Sequence, residues 1–352
     1  KRKAGENFNL SVKAVRWQAA GESNTDFCTA NATTPNFQLA NIAISQNLLA
    51  PAAGVAGSLA VNSFDMQAAD NGDHTIGNQQ VSEVGVFSFT ASAAAYFGET
   101  IAASTSANIG RFYPDHFTLS DASLTNRSDD PTCVSSFTYM GENFQVSYDL
   151  TARNLAGNVT QNYTTASGFA RLDTAAELNY GAVDSSGPTD LTARLNTGTP
   201  VISFVDGVVN DLTDTLSLDR LASGAPDGPY NLSVGIVPSD DDGTLLNSYD
   251  LDVTGGGNDH GLIATTDIYY GRVALENTFG SELISLDMPM QAEYYDGSNF
   301  LTNISDNCSS FAITDLILSS AVQVGQVDGD VKGEGRPPSC TGQVESLPRT
   351  FR

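Results

Sequence analysis

The segment Ile109–Phe117, IGRFYPDHF, holds the most chemically versatile side chains of this chain. An arginine, an aspartate, a histidine and three aromatic residues fall within nine positions. Such a group could transfer protons or bind a sugar, because histidine and aspartate exchange protons and aromatic rings cover apolar sugar faces. The alternative is a structural joint between two domains.

The joint is the interpretation that we favour. Pro114 fixes its own backbone and holds Tyr113 in an extended conformation. Arg111 would pair with Asp115 or His116, and the aromatic rings would cover the end of a neighbouring domain. The sequence therefore predicts a linking role for this segment.

A Gly-Arg dipeptide after an apolar residue recurs in the chain, first before Arg111 and again before Arg272. A glycine-rich segment, TGGGNDHG, precedes the second copy. The use of one short sequence at two places favours two junctions. We predict a β-sandwich domain at 1–110, a β-sandwich domain with long loops at 111–265, and a small, truncated β domain at 266–352.

A catalytic site elsewhere in the chain also has little support in the sequence. The only histidines are His74, His116 and His260, each in a turn-like segment, and no G-x-S-x-G nucleophile motif is present. A glycosidase needs two positioned carboxylates, but no spacing selects a pair among the many acids. We therefore predict that the protein is not an enzyme and has no catalytic residue.

The segment SDDDGT places Asp240, Asp241 and Asp242 before a glycine and is the strongest metal candidate in the sequence. An EF-hand requires acids at alternate positions and a final glutamate, which this segment lacks. We predict a hairpin turn and no cofactor. A calcium ion bound by these aspartates is the alternative.

The four cysteines, Cys28, Cys133, Cys308 and Cys340, lie far apart and away from histidine. This spacing argues against zinc and favours disulfides formed in an oxidising compartment, with buried free thiols as the alternative. Four cysteines allow three pairings, which sequence alone does not distinguish. We expect Cys28–Cys133 and Cys308–Cys340.

The net charge of −25, from 41 acidic and 16 basic residues, excludes classes of partner. Phosphate groups are bound by clustered lysine and arginine, so we expect no nucleic acid partner. No run of about 18 apolar residues is present, so we expect no direct insertion into a membrane. The acidic surface and the absence of an opening signal peptide indicate a fragment of a longer secreted precursor.

The elements that position these residues are predicted to be strands. Apolar and polar residues alternate in many short segments separated by Asn-Gly and Asp-Gly turns, and the only helix-like stretch is a weak one at 174–178. The alternating segments are 8–15, 37–44, 84–91, 144–153, 201–209, 230–237, 249–253 and 286–295. This pattern predicts an elongated all-β chain of tandem antiparallel Ig-like β-sandwiches.

Four stretches together resemble a known family. They are VGVFSFTASAAAYFGETI leading into IGRFYPDHF, then YMGENFQVSYDLTARNLAGNVTQNY, DGPYNLSVGIVPSDDDG, and YYGRVALENTFGSELISLDMPMQAEYYDGSNFLTNISDNC. In this order they are similar to the C-terminal region, of unknown function, of the protein Q family of the mannose-sensitive haemagglutinin (MSHA) type IV pilus system. The resemblance covers roughly residues 10–310; the end of the chain, after about residue 325, lacks the tryptophan and tyrosine residues of similar proteins.

The resemblance implies a bacterial protein at the outer cell surface or on the pilus, with a structural or adhesive role and no catalysis. Its partners would be pilus or cell-surface proteins, or glycans. It also implies that Arg111, Tyr113, Asp115, His116 and Arg272 lie at domain transitions. The alternative function is a secreted carbohydrate-binding module, calcium-dependent or not, or an accessory domain of a glycoside hydrolase.

Overall fold

The computed structural model describes residues 1–18, 31–276, 279 and 289–310, and this part of the chain is all-β. In these described residues, twenty-one strands form five sheets, which we group into three consecutive units. The helical segments of the described part are three 3-10 turns, Ala68–Asp70, Ala175–Leu178 and Thr192–Arg194. The second of these lies in the helix-like stretch expected from the sequence.

The first unit contains two sheets. The larger has the order β1-β8-β6-β3-β4, with β7 paired to β6, and the smaller is the antiparallel ribbon β2-β5. The strands are β1 Arg2–Lys3, β2 Phe8–Lys13, β3 Leu39–Ala50, β4 Ser63–Met66, β5 Asp73–Gln79, β6 Gly85–Ser92, β7 Ser104–Thr105 and β8 Ile109–Tyr113.

Alternation along these strands builds the core of the first unit. Phe87 and Phe89 of β6 point to one face and meet Phe8 of the ribbon and Phe112 of β8. Leu10 of the ribbon packs against this cluster and against a second one formed by residues of β3, β4 and β5. Burial of this apolar surface holds the ribbon on the larger sheet.

The second unit contains two five-stranded sheets, with the orders β10-β18-β16-β12-β13 and β14-β15-β11-β9-β17. Its strands are β9 His116–Thr125, β10 Phe137–Tyr139, β11 Asn143–Arg153, β12 Tyr180–Asp184, β13 Thr189–Asp190, β14 Leu195–Asn196, β15 Val208–Leu218, β16 Tyr230–Ile236, β17 Leu245–Leu246 and β18 Gly261–Tyr269. Both sheets contribute to one hydrophobic core, which includes Val146, Tyr148 and Leu150 of β11 and Leu232 and Val234 of β16.

The third unit is an antiparallel sheet of β19 Gly271–Leu275, β20 Met290–Tyr295 and β21 Phe300–Thr302. One residue, Tyr270, separates β18 of the second unit from β19. The second unit is therefore joined to the third by a very short connection, just as β8 and β9 are separated only by Pro114 and Asp115.

Two of the expected strands differ from the structure. At 201–209 a turn at Asp206 and Gly207 interrupts the segment, and strand β15 begins at Val208. At 249–253 only an isolated bridge from Leu251 to His260 is present. Local alternation does not reveal whether a neighbouring strand is available for pairing, which explains both differences.

Candidate functional site

The segment 109–117 passes from the core of the first unit to the core of the second. Phe112 is buried among the phenylalanines of the first unit. Phe117, five residues later, is buried in the second core, with its ring centroid 5.7 Å from that of Tyr163 and 5.9 Å from that of Phe204. Each core thus holds one aromatic residue of this segment.

Arg111 lies between these two anchors and bonds to residues distant in sequence. Its Nε donates to Asp242 Oδ2 at 2.7 Å, and its Nη2 donates to the carbonyl oxygen of Phe169. The guanidinium also stacks on the Phe169 ring, 4.7 Å from the centroid. Arg111 therefore attaches the last strand of the first unit to two loops of the second.

The expected partners of Arg111 pair with each other instead. His116 Nδ1 lies 2.7 Å from Asp115 Oδ2, and Lys3 Nζ lies 3.0 Å from Asp115 Oδ1. Burial raises the pKa of Asp115, but the bonds from His116 and Lys3 outweigh it and leave the pKa below its usual value. Tyr113 belongs to β8, where its carbonyl oxygen accepts a hydrogen bond from the Ala4 amide at 2.8 Å.

The aspartates of the segment 239–244 also lie where the first and second units meet, which we call the first joint. Asp240 is buried and accepts hydrogen bonds from the Tyr163 hydroxyl and from the backbone amides of Asp242 and Thr244. Burial raises the pKa of Asp240 above its usual value. The carbonyl oxygen of Asp241 lies 3.5 Å from Lys1 Nζ.

Asp242 carries the ionic contacts of this loop. Its side chain is only 2% exposed and binds Lys1 Nζ at 2.8 Å as well as Arg111. Burial raises the pKa of Asp242, but the bonds from Lys1 and Arg111 prevail and lower it. Two cations beside this carboxylate disfavour a metal ion, and the described residues contain no group of three metal-ligating side chains.

A second contact between the same two units uses Glu83 and Asn162. Glu83 is 4% exposed, and its carboxylate accepts hydrogen bonds from the backbone amides of Val84, Gln161 and Asn162. Burial raises its pKa even though these three bonds oppose the shift.

The Asn162 side chain reaches across the joint to the loop 51–55. Its Oδ1 accepts from the Val55 amide at 2.8 Å, and its Nδ2 donates to the Val55 and Val84 carbonyl oxygens, each at 2.8 Å. A Cβ on Gly54 would lie 2.5 Å from Asn162 Oδ1, so only glycine permits this approach. We call this arrangement the Asn162 clamp.

A cavity of about 600 Å³ lies beside the Asn162 clamp. One wall is the loop 50–55 of the first unit, and the opposite wall is formed by residues 161–169 and Asp206 of the second. We call it the interunit cavity. A site shared by two units is a common place for ligands, because the walls come from separately positioned loops.

The second joint, between the second and third units, contains a disulfide that joins Cys133 to Cys308. The expected pairs Cys28–Cys133 and Cys308–Cys340 are therefore wrong. The two bonded residues are 175 positions apart, and only the fold brings them together. Cys28 and Cys340 lie outside the described residues.

Arg127 binds two carboxylates next to this disulfide. It donates to Asp306 Oδ1 at 2.7 Å and lies 3.1 Å from Glu142 Oε2, and it also donates to Ser309 Oγ at 3.0 Å. Burial raises the pKa of Asp306, but the bonds from Ser309 and Arg127 dominate and lower it to about 2. The carboxylate thus remains charged although its side chain is only 1% exposed.

Arg272 lies at this joint too, on strand β19. Its Nε donates to Glu293 Oε2 at 2.7 Å, and its guanidinium lies 3.6 Å from the centroid of the Phe300 ring. The preceding Gly271 lies against Tyr139, since a Cβ there would come within 2.4 Å of the Tyr139 ring. Arg272 therefore bonds within the third unit, while Gly271 makes the contact with the second.

A second cavity, of about 650 Å³, is lined by Arg127, Arg220 and Arg272. Two of these three cations are neutralised, Arg127 by Asp306 and Glu142 and Arg272 by Glu293. The cavity consequently offers less positive charge than its arginines would indicate.

The structure does not bring the three histidines together. His74 stacks on Phe64 in the first unit, His116 lies at the first joint, and His260 lies 2.8 Å from Asp259 in the second unit. No pair of histidines therefore forms a shared site.

Three family models match consecutive parts of the chain. The DUF6701 second domain matches residues 1–78, the third domain 83–265 and the fourth domain 269–346. The chain belongs to the DUF6701 family. The DUF6701 description names no activity or ligand, and no curated protein and no solved structure matches the chain.

The first sheet crosses a boundary between two DUF6701 domains. Strand β3 lies in the part matched by the second domain, and β6 and β8 lie in the part matched by the third. Strand β6 nevertheless pairs with both β3 and β8. The DUF6701 second domain therefore shares its main sheet with strands of the third.

Proposed function

We propose that this DUF6701 chain is a structural or adhesive module of the outer cell surface, associated with an MSHA-type pilus and without catalysis. The resemblance to the protein Q family and the net charge of −25 support this function. Its partners would be pilus or cell-surface proteins, or glycans. No helix in the described ranges is both long and apolar enough to cross a membrane.

The closure of both joints is the observation that carries this proposal. At the first joint Arg111, Lys1 and Asp242 form a charged cluster, and the Asn162 clamp holds a loop of the neighbouring unit. At the second, a disulfide and the Arg127–Asp306 pair connect two units. A surface module under shear requires such connections, because a force on one unit must reach the next without unfolding either.

The disulfide also bears on location. Disulfides persist in oxidising compartments and are rare where thiol reductants are abundant. The Cys133–Cys308 bond therefore favours an extracytoplasmic chain. We include in the proposal that the units are Ig-like sandwiches in tandem, an arrangement that is common among surface proteins because loops at the sandwich ends are free to bind.

The absence of catalysis belongs to the proposal as well. The histidines lie apart, and three carboxylates with little exposure already bind internal donors: Asp240 accepts from Tyr163, Asp242 from Arg111, and Asp306 from Arg127. A catalytic carboxylate must instead face a substrate.

Fractionation of the native cells tests the proposed location. Pili are sheared from the cells, purified and probed with an antibody against this region, and a strain that lacks the pilus assembly machinery is the control. We expect the protein in the pilus fraction of the first strain and its loss from that fraction in the second. Recovery with the cytoplasm, or free in the medium of both strains alike, would contradict the pilus role.

A further inference from the structure

We propose that the interunit cavity is a binding site for an uncharged saccharide, with Asp206, Gln161 and Phe169 as the residues that contact it. This inference deepens the adhesive part of the proposed function and rests on it. It does not depend on association with a pilus.

The site is held in place before any ligand arrives. The Asn162 side chain makes all three of its hydrogen bonds across the joint, to the Val55 amide, the Val55 carbonyl oxygen and the Val84 carbonyl oxygen. These bonds fix the loop 51–55 relative to residues 161–169. A preformed site loses little conformational entropy on binding, so it can bind a ligand that makes only a few contacts, as in low-affinity surface adhesion.

Among the residues that the structure describes, two polar side chains of the cavity have no partner. Neither the Asp206 carboxylate nor the side-chain amide of Gln161 makes a hydrogen bond or an ion pair there, although both line the cavity. Both residues are exposed. Their backbones are held in place, because the backbone amide of Asp206 donates to Thr164 Oγ1 at 3.2 Å and the backbone amide of Gln161 donates to the Glu83 carboxylate.

Carboxylate and amide groups are well suited to sugar hydroxyls. A carboxylate accepts from two neighbouring hydroxyls, and an amide both donates and accepts. Hydrogen bonds to a charged acceptor are also the stronger kind.

The aromatic residue of the cavity is Phe169. It is half-buried and lines the wall, and its carbonyl oxygen is bound to Arg111. The Arg111 guanidinium covers one face of the ring, 4.7 Å from the centroid. The ring also packs against the core of the second unit, and in our proposal the part of it that lines the cavity contacts the apolar side of a sugar ring, beside the small residues Ala52, Ala53 and Ala166.

The charge of the site selects against anions. Among the residues that the structure describes, no lysine, arginine or histidine lines the cavity and the one charged side chain there is that of Asp206, while the whole chain carries a net charge of −25. An anionic glycan would therefore be repelled. Among glycans, the uncharged ones are therefore favoured, and a cavity of about 600 Å³ accommodates about one or two hexose units.

Saturation-transfer NMR tests this inference, because it detects complexes with dissociation constants near millimolar. The probes are three uncharged trisaccharides (mannotriose, cellotriose and tri-N-acetylchitotriose), with trigalacturonate as the anionic comparison. The variants are Asp206→Asn and Gln161→Ala. Asparagine keeps the left-handed backbone of Asp206, whose φ is 49°, so the turn survives.

The matched control is Asp211→Asn, another exposed aspartate with a left-handed backbone, at φ 50°, on strand β15. We expect at least one uncharged trisaccharide to bind the unmodified chain and trigalacturonate not to bind. Asp206→Asn should weaken binding about tenfold, the loss typical of a hydrogen bond to a charged group, and Gln161→Ala about fivefold, the loss typical of a neutral hydrogen bond. The control should bind as the unmodified chain does.

Three results would overturn the inference: no binding of any uncharged probe, binding by the site variants as tight as that by the unmodified chain, or a loss in the control equal to the loss in the site variants. None of them decides the pilus role, which the shearing experiment tests separately. Conversely, specific binding by a chain that is absent from the pilus fraction would retain this site and reject the pilus association.

Discussion

The Arg127–Asp306 pair gives the sharpest prediction for stability. In Arg127→Met the methionine fills most of the volume but leaves the Asp306 carboxylate, 1% exposed, without its cation. Breaking a buried pair in this way costs about 3–5 kcal/mol, because the remaining charge is desolvated and uncompensated. Because Ser309 still donates a hydrogen bond to Asp306, we expect a loss of unfolding free energy at the lower end of this range, about 3 kcal/mol.

A double-mutant cycle separates the pair from the loss of packing. Asp306→Asn removes the charge that Arg127→Met leaves unpaired, so the double variant should cost at least 1 kcal/mol less than the sum of the two single ones. The control is Arg2→Gln, which removes an exposed pair with Glu6 and should cost less than about 0.5 kcal/mol.

Urea unfolding followed by circular dichroism measures these free energies. Hydrogen exchange of the segments 137–142 and 300–310 shows whether the loss is local to the second joint, since units of a multidomain chain need not unfold together. An Arg127→Met cost no larger than that of Arg2→Gln, or strict additivity in the cycle, would refute the role assigned to this pair.

Three further predictions concern the joints. Gly54→Ala should destabilise the chain by more than 1 kcal/mol in thermal unfolding, because the added Cβ meets Asn162. The control Gly187→Ala, where a Cβ meets nothing within 4 Å, should be neutral. Equal effects of the two substitutions would contradict the close approach of Gly54 to Asn162. Reduction of the Cys133–Cys308 disulfide should lower the unfolding temperature, because a disulfide that closes a loop of 175 residues stabilises the folded state by up to about 5 kcal/mol. An unchanged unfolding temperature would contradict this stabilising role. Since the pKa of Asp306 is about 2 when folded and ~3.9 when unfolded, its contribution of about 1 kcal/mol is present above pH ~4 and lost as the pH falls toward 2. In urea unfolding at pH 5 and pH 2.5, Asp306→Asn should therefore differ from the unmodified chain more at pH 5, and an equal difference at both would contradict the assignment.

The strands were the most predictable part of this protein. The alternation of apolar and polar residues at 8–15, 84–91 and 144–153 corresponds to β2, β6 and β11 in the structure. A period of two is a local property, so it is readable without a partner strand. The partner strand itself is not local, and for that reason alternation at 249–253 predicts a strand where the structure has an isolated bridge.

The contacts at the joints could be predicted only in part. The composition of the segment around Arg111 indicates a joint, but the partner of Arg111, Asp242, lies 131 positions away. The same holds for the disulfide, where pairing depends on which loops the fold brings together. A long-range partner leaves no mark in the spacing of either residue.

The residues of the second contact at the first joint were missed altogether. Glu83 lies in VSEVG, with Val81 two positions before it and Val84 directly after it, and a charged residue so close to apolar ones is a weak signal of a buried, hydrogen-bonded carboxylate. Asn162 carries no signal at all, because asparagine is common in exposed turns and its three bonds depend on a loop of another unit.

Thiol labelling on intact native cells tests the central claim, a surface module with a closed second joint, most directly. Cells are treated with an impermeant reductant and then an impermeant maleimide, and the peptides that contain Cys133 and Cys308 are examined by mass spectrometry. We predict that both cysteines are labelled on intact cells, and only after reduction. Labelling without reduction, or labelling that requires lysis of the cells, would contradict the account.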